Sequence, residues 1–307
     1  MHARFTRLQS ITLFNESIKS KYTKKNYVSH LNQFKRFAKI TSTDKIVTLP
    51  QEELQNILEN YVLELRRTTN PNSIPSKFQG IRHFCVMNRI CVDWGIIHKM
   101  FPQRQKVPIL RAYTTDEIRE MLSTVNTRNA ALIHFLASTG ARIGVFDHSL
   151  VLGHLKKMPC RCKAVKLYAG EVEEYWAFLT PQASKILDAY HNIRRKSGEV
   201  FNEDTPVFAV RNAHARQLTW NGARSALYRI IVKNNILRTK HDGRYDVQAD
   251  HGFRKRFNTI LKLDNTVNYN IAEKLMGHKN GLDGVYFVPT IQEMFAEFRK
   301  IICKLQV

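Results

Sequence analysis

Residues 250–257 read Asp250-His251-Gly252-Phe253-Arg254-Lys255-Arg256-Phe257. His251 and Arg254 stand three positions apart, so a helix carries both on one face. Phe253 and Phe257, four apart, form an apolar stripe on another face. Aromatic packing behind the helix would therefore hold a cationic face toward whatever it meets. The pattern predicts a helix over 251–263.

Two neighbouring stretches share this chemistry. Upstream, Ser138-Thr139-Gly140-Ala141-Arg142-Ile143-Gly144 follows a helical run from about 129 to 138. Gly140 suits the left-handed cap of that helix, and Arg142 then sits on the corner. Its planar guanidinium matches two phosphate oxygens at once. Downstream, Leu275-Met276-Gly277-His278 places a histidine just after another helix-ending glycine. Tyr286 follows eight residues later, across the turn-rich loop Lys279-Asn280-Gly281-Leu282-Asp283-Gly284.

The rest of the second half is mostly helical. Thr114 with Glu117 forms a capping box. Lys163–Tyr168 and Tyr175–Leu179 are β-prone runs flanking Ala169-Gly170-Glu171 and read as a hairpin. Thr180-Pro181 starts a helix with proline at its first position, and 219–235 is another. Asn270 with Glu273, and Thr290 with Glu293, are read as the caps of the last two helices. The final helix carries the stripe Ile291, Met294, Phe295, Phe298, Ile301 and Ile302. The first hundred residues read as helices without a strand. Ile18, Tyr22, Tyr27, Leu31, Phe34 and Phe37 recur at three- and four-residue steps, and Pro50-Gln51-Glu52 starts a further helix. The fold class is thus mainly α with a small antiparallel sheet. A helical domain over 1–104 joins an α+β domain over 112–307 through a basic linker, 105–111. Lys106 and Arg111 in that linker, with Arg104 just before it, are suited to lie along a phosphate backbone.

Composition points to the same partner. The 307 residues carry 48 Lys and Arg against 26 Asp and Glu, a formal charge of +22. Residues 1–108 hold 18 basic and 7 acidic residues, and the remainder holds the same excess of 11. Two equally basic lobes suit one polyanion, so double-stranded DNA is the expected partner. No apolar run has the length to span a bilayer, and Met1–Gln9 lacks the apolar core of a secretory signal, so a cytoplasmic, nucleoid-associated protein is expected. Five cysteines in a chain of this length do not make a disulfide framework. Cys160 and Cys162, near His154, lack a second pair at zinc spacing, so no metal site is expected.

Taken in order, the three motifs resemble those of the tyrosine recombinase (phage integrase) family: an Arg after a helix end, His-x-x-Arg, Leu-x-Gly-His, and a downstream Tyr. The resemblance spans 111–307, and residues 1–104 resemble that family's core-binding domain. The wording is closest to archaeal and archaeal-virus members. The resemblance implies that Tyr286 attacks a phosphate to give a 3′-phosphotyrosine, that Arg142 and Arg254 stabilise the transition state, and that His251 and His278 hydrogen-bond the phosphate or assist proton transfer. It implies no cofactor, metal or ATP. It also implies a DNA-bound homotetramer, with the C-terminal helix docking on a neighbouring subunit or packing on its own domain. Two positions depart from the family pattern. The hairpin turn, Ala169 to Glu174, has no lysine where the family carries its general acid, leaving Lys166 or Lys163 on the preceding strand. Three positions after Arg142, where many members have an acid, stands Val145. Two alternatives stay open: a type IB topoisomerase-like nicking-closing enzyme, and a decayed, non-catalytic DNA-binding relative.

Overall fold

The computed structural model describes residues 10–106, 110–210, 216–241, 244–278 and 286–307. The chain divides into two compact units, 1–107 and 108–307.

Among the described residues of the first unit, six α-helices surround one core: α1 (Ser10–Glu16), α2 (Lys21–Phe37), α3 (Thr43–Thr48), α4 (Gln51–Thr68), α5 (Ile74–Met87) and α6 (Trp94–Met100). No strand occurs among its described residues. Side chains at helical spacing turn inward, and Tyr61 of α4 meets Phe34 of α2 and Phe78 of α5 at ring separations of 5.4 and 5.6 Å.

The second unit opens with α7 (Thr115–Ser123), whose capping box of Thr114 and Glu117 is present in full. Next comes α8 (Thr127–Thr139), capped by the Asn126 side chain and closed by Gly140 at φ 57°. Three antiparallel strands follow, β1 (Leu155–Lys157), β2 (Lys163–Leu167) and β3 (Tyr175–Leu179). The β2–β3 hairpin is as the sequence predicts, with Val165 opposite Ala177 and Lys166 opposite Trp176. The sequence reading misses β1, whose Leu-Lys-Lys is short and lysine-rich at a sheet edge. It also misses a two-stranded ribbon, β4 (Lys240–His241) with β5 (Arg244–Tyr245). Four more helices follow: α9 (Pro181–Lys196), α10 (Trp220–Lys233), α11 (His251–Leu263) and α12 (Tyr269–Leu275). The last helix is α13 (Ile291–Leu305), with the Thr290–Glu293 capping box formed. The expected cap of α12 is corrected: Asn268, not Asn270, accepts from the first-turn amides. Glu273 is turned elsewhere, to partners described below.

The sheet is buried on both faces. Val165, Leu167, Ala177 and Leu179 face a core shared with α8, α9 and α10. Ala164 and Phe178 face a second core with α11, α12 and α13. Helix α11 spans the two, with Phe253 in the first and Phe257 in the second. Arg254 lies between these anchors. The apolar stripe of α13 is covered by its own chain: Phe295 and Phe298 each stand 5.4 Å from the Phe178 ring.

Phe298 is 0% exposed. Replacing Phe298 with Ala should cost roughly 3–5 kcal/mol, since the lost burial adds to the cavity left behind. Urea unfolding of the full chain measures this. A loss under about 1 kcal/mol would mean that α13 is not held as described.

Candidate active site

The three motif segments meet at one guanidinium. Arg254 is 9% exposed and faces acceptors from both other segments. Its Nη1 donates to the Gly140 carbonyl at 2.8 Å, and its Nη2 donates to the Met276 carbonyl at 2.7 Å. Nη2 also lies 3.0 Å from His278 Nε2. Both carbonyls are helix-end groups left without an intrahelical partner. They are presented because Gly140 and Gly277 turn the chain at φ 57° and 60°. A side chain would be strained there, and a Cβ at Gly140 would lie 2.6 Å from the Phe257 ring.

Arg142 projects from the corner after α8 and reaches the Gly277 carbonyl at 3.5 Å. Burial and the nearby positive charge of Arg142 both hold Arg254 below the usual arginine range. Neither guanidinium has a carboxylate partner among the described residues. A buried cation beside a second cation is costly unless an anion arrives to compensate both. The two guanidinium groups thus stand together with only neutral acceptors around them among the described residues.

Each candidate histidine is backed by a carboxylate. His278 Nδ1 lies 2.8 Å from Glu273 Oε2, and Lys262 Nζ lies 2.5 Å from Glu273 Oε1. Arg254 can only donate, so His278 Nε2 is its acceptor while Nδ1 faces the Glu273 carboxylate. Burial alone would raise the Glu273 carboxyl, but the bonds from Lys262 and His278 outweigh it and hold the group below the usual range. His251, at the start of α11, is half exposed and sets Nδ1 2.9 Å from Asp250 Oδ2. Burial raises the Asp250 carboxyl, and the bond from His251 reverses the shift.

The lysine candidates lie elsewhere. Lys163 pairs with Asp188 of α9. Lys166 Nζ is 3.1 Å from Glu174 and 5.1 Å from the centre of the Trp176 ring. The sequence reading puts Lys166 and Tyr168 on one sheet face; the structure does not. Tyr168 leaves the strand at φ 54° and stacks on Tyr175, ring centres 6.3 Å apart, on the face opposite Lys166 and Trp176. These two tyrosines are site neighbours that the sequence reading passed over. Burial pushes the Tyr168 phenol up to about 12 against the pull of Arg142 and Arg254. Burial likewise raises Tyr175, whose hydroxyl is sealed from solvent. In the linker, Arg111 is not free for phosphate: it pairs with Glu117 and Asp246, each at 2.8 Å. Val145, where many members carry an acid, is buried in the main core.

Tyr286 is 83% exposed, and no contact joins it to the arginines or histidines among the described residues. The predicted loop before it, Lys279–Gly284, lies outside the described residues. Beside His251, a groove of about 860 Å³ is lined by Arg224, Arg229, Arg238 and Arg244, with Tyr245 stacked against Arg238 at 4.1 Å. No helix among the described residues is long and apolar enough to cross a membrane.

Sequence comparison finds no matching family model and no matching curated protein. Comparison of structures does find matches. The chain is similar to the Tn1549 transposon integrase in complex with circular intermediate DNA, with TM-score 0.58 and 13% identity over 95% of this chain and 99% of that one. It is similar to a lambda integrase dimer bound to a COC′ core site, with TM-score 0.57 and 15% identity over 90% and 91%. XerH site-specific recombinase bound to difH substrate gives TM-score 0.57 and 15% identity over 89% and 78%.

The chain has the tyrosine-recombinase fold.

In that fold, the Glu273 bridge makes stability depend on pH. A carboxyl held low in the folded state contributes stability above its unfolded value, near pH 4.3, and loses it as pH falls through the folded value. The stability advantage of wild type over Glu273→Gln should therefore shrink between about pH 6 and about pH 3. Urea midpoints across that range measure it, and a constant difference would rule out an ionised Glu273 bridge.

Proposed function

We propose that this protein is a site-specific DNA recombinase that cleaves and rejoins strands through a 3′-phosphotyrosyl intermediate on Tyr286. The observation that carries this reading is the pair Arg142 and Arg254, fixed side by side without a counter-ion among the described residues. Two forked donors match the non-bridging oxygens of a phosphodiester, and the charge that builds up on those oxygens in the transition state strengthens both contacts. Tyr286 Oη attacks phosphorus, the bond to O5′ breaks, and a 5′-hydroxyl is released. Attack by a 5′-hydroxyl of another strand reverses the step, so the bond energy is retained and no ATP is consumed.

The basic first unit is the proposed core-binding domain. The second unit is the proposed catalytic domain, with the groove of Arg224, Arg229, Arg238 and Arg244 as its continuing phosphate track. Solved structures of similar fold are bound to DNA, which supports the same partner here. Exchange between two duplexes requires four active sites, so the proposed working form is a homotetramer on DNA. One observation favours a non-cleaving DNA binder instead: the hairpin turn lacks a lysine, and Lys166 is held by Glu174 and Trp176.

The test uses a library of randomised duplexes, each carrying one nick, incubated with the protein and resolved under denaturing conditions. Wild type should form a covalent adduct that disappears in Tyr286→Phe. An adduct that survives this substitution removes Tyr286 from the role, and no adduct at all leaves the binder. Arg142→Ala should reduce adduct formation by roughly 10²-fold or more while retaining DNA binding, because one phosphate contact among many is lost. Binding by both proteins should fall linearly in log–log form as salt rises, and a salt-independent affinity would contradict the phosphate track.

A further inference from the structure

The hairpin turn that lacks a lysine is also acidic. Glu171, Glu173 and Glu174 fall within four consecutive residues of a chain whose formal charge is +22. The whole turn from Glu171 to Glu174 is exposed, and Val172 is 80% exposed between its acidic neighbours. Glu171 is held by His148, and Glu174 by Lys166 and the Gly170 amide. Glu173 has no partner among the described residues. Such a tip is repelled by a phosphate backbone and drawn to cations.

The other end of the same sheet carries the complement. A cavity of about 860 Å³ opens where the β1–β2 turn meets α9. Met158, Pro181 and Ala189 give it apolar surface. Lys157, Arg161, Lys163 and Lys185 line it with positive charge against a single acid, Asp188. Lys163 takes up that acid, which leaves Lys157, Arg161 and Lys185 without an acidic partner among the described residues. The turn that carries Arg161 is strained. Cys162 N donates to the Pro159 carbonyl at 3.1 Å, and the two residues between, Cys160 and Arg161, are left-handed at φ 56° and 60°. Two-residue hairpin turns of this hand favour Asn and Gly. Strain of this kind, in residues with bulkier side chains, collects at binding sites.

Tip and cavity do not meet within one chain. Lys163 and Leu167 are the two ends of β2, so roughly 13 Å of strand lies between them, and the turn leads away from α9. We propose that the cavity is the docking site for the Glu171–Glu174 turn of a second copy of this chain. Val172 enters against Met158, Pro181 and Ala189, and Glu173 pairs with the cations at the rim. Two different patches meet, so the contact runs head to tail and either closes into a ring or continues as a filament. On DNA, the four copies of the homotetramer proposed above would form the ring. The contact itself does not rest on cleavage by Tyr286. Chains this basic repel one another, and DNA offsets that repulsion, so the contact forms on DNA and is weak without it.

The test uses the full-length protein on long random-sequence duplex, with equal parts of unlabelled and isotope-labelled chain. A carbodiimide joins only amines and carboxylates already in contact. Mass spectrometry should find the Glu171–Glu174 turn joined to Lys157 or Lys185 in peptides of mixed isotope, which only two copies can give. The yield should fall as salt shortens the screening length. Glu173→Lys and Arg161→Glu, each alone, should weaken assembly on DNA roughly 10-fold by sedimentation. Both together in one chain should restore it, because opposite charges then face each other again with their signs exchanged. Both side chains are exposed, so urea midpoints equal to wild type serve as the folding control. Absence of mixed-isotope cross-links, cross-links confined to one copy, or a double variant no better than the singles overturns the contact. So does an Arg161→Glu chain that loses DNA affinity as a dilute single copy, which would make the cavity wall a phosphate contact. Failure of the recombinase reading shows separately, as absence of the Tyr286 adduct, and leaves the cross-link standing.

Discussion

A buried guanidinium without a counter-ion constrains the second unit more than any other group. Arg254 ties together the end of α8, the end of α12 and the ring of His278 through three hydrogen bonds to neutral acceptors. A neutral side chain of similar bulk would pack in its place at less desolvation cost. The structure nevertheless devotes two helix-terminal carbonyls, two left-handed glycines and an aromatic anchor on each side to holding a cation there. Such an arrangement loses stability in the free protein.

The local signals that were legible are those whose physics is short-range. The capping boxes at Thr114 and Thr290, the glycine cap at Gly140 and the helix over 251–263 each depend on a few adjacent residues, and each is found as read. The failures are of two kinds. Strand β1 and the β4–β5 ribbon are too short to show an alternating pattern and exist because a partner strand is at hand. The cap of α12 was read at Asn270 because Glu273 stands three residues on. In the folded chain a stronger set of partners, Lys262 and His278, claims that carboxylate, and Asn268 caps instead.

The same distinction applies within the site. Arg142, Arg254 and His278 converge as their motif order implies. What motif order does not carry is which way a neighbouring residue faces. Tyr168 and Tyr175 lie beside the arginines because Tyr168 turns left-handed at the strand end, a backbone event with no glycine or asparagine to announce it. Lys166 is drawn away by a carboxylate in its own hairpin turn and by the ring opposite it. Glu174 itself is held by the Gly170 amide, so the turn fixes the acid that fixes the lysine.

This last point bears on how the site tolerates a turn without a lysine. Where a mobile hairpin delivers the proton, the turn itself must enter the reaction. Here Glu171 reaches back to His148 outside the hairpin, and Glu174 pairs with Lys166 of β2 within it, so the turn is held at both ends. A braced turn is a poor carrier of a travelling group but a good wall for a fixed pocket. His251 and His278 stand on α11 and just after α12, each with a carboxylate behind it. Because α11 is anchored in both cores, His251 keeps a constant offset from Arg254. Tyr286, by contrast, stands exposed, with no contact to either arginine among the described residues.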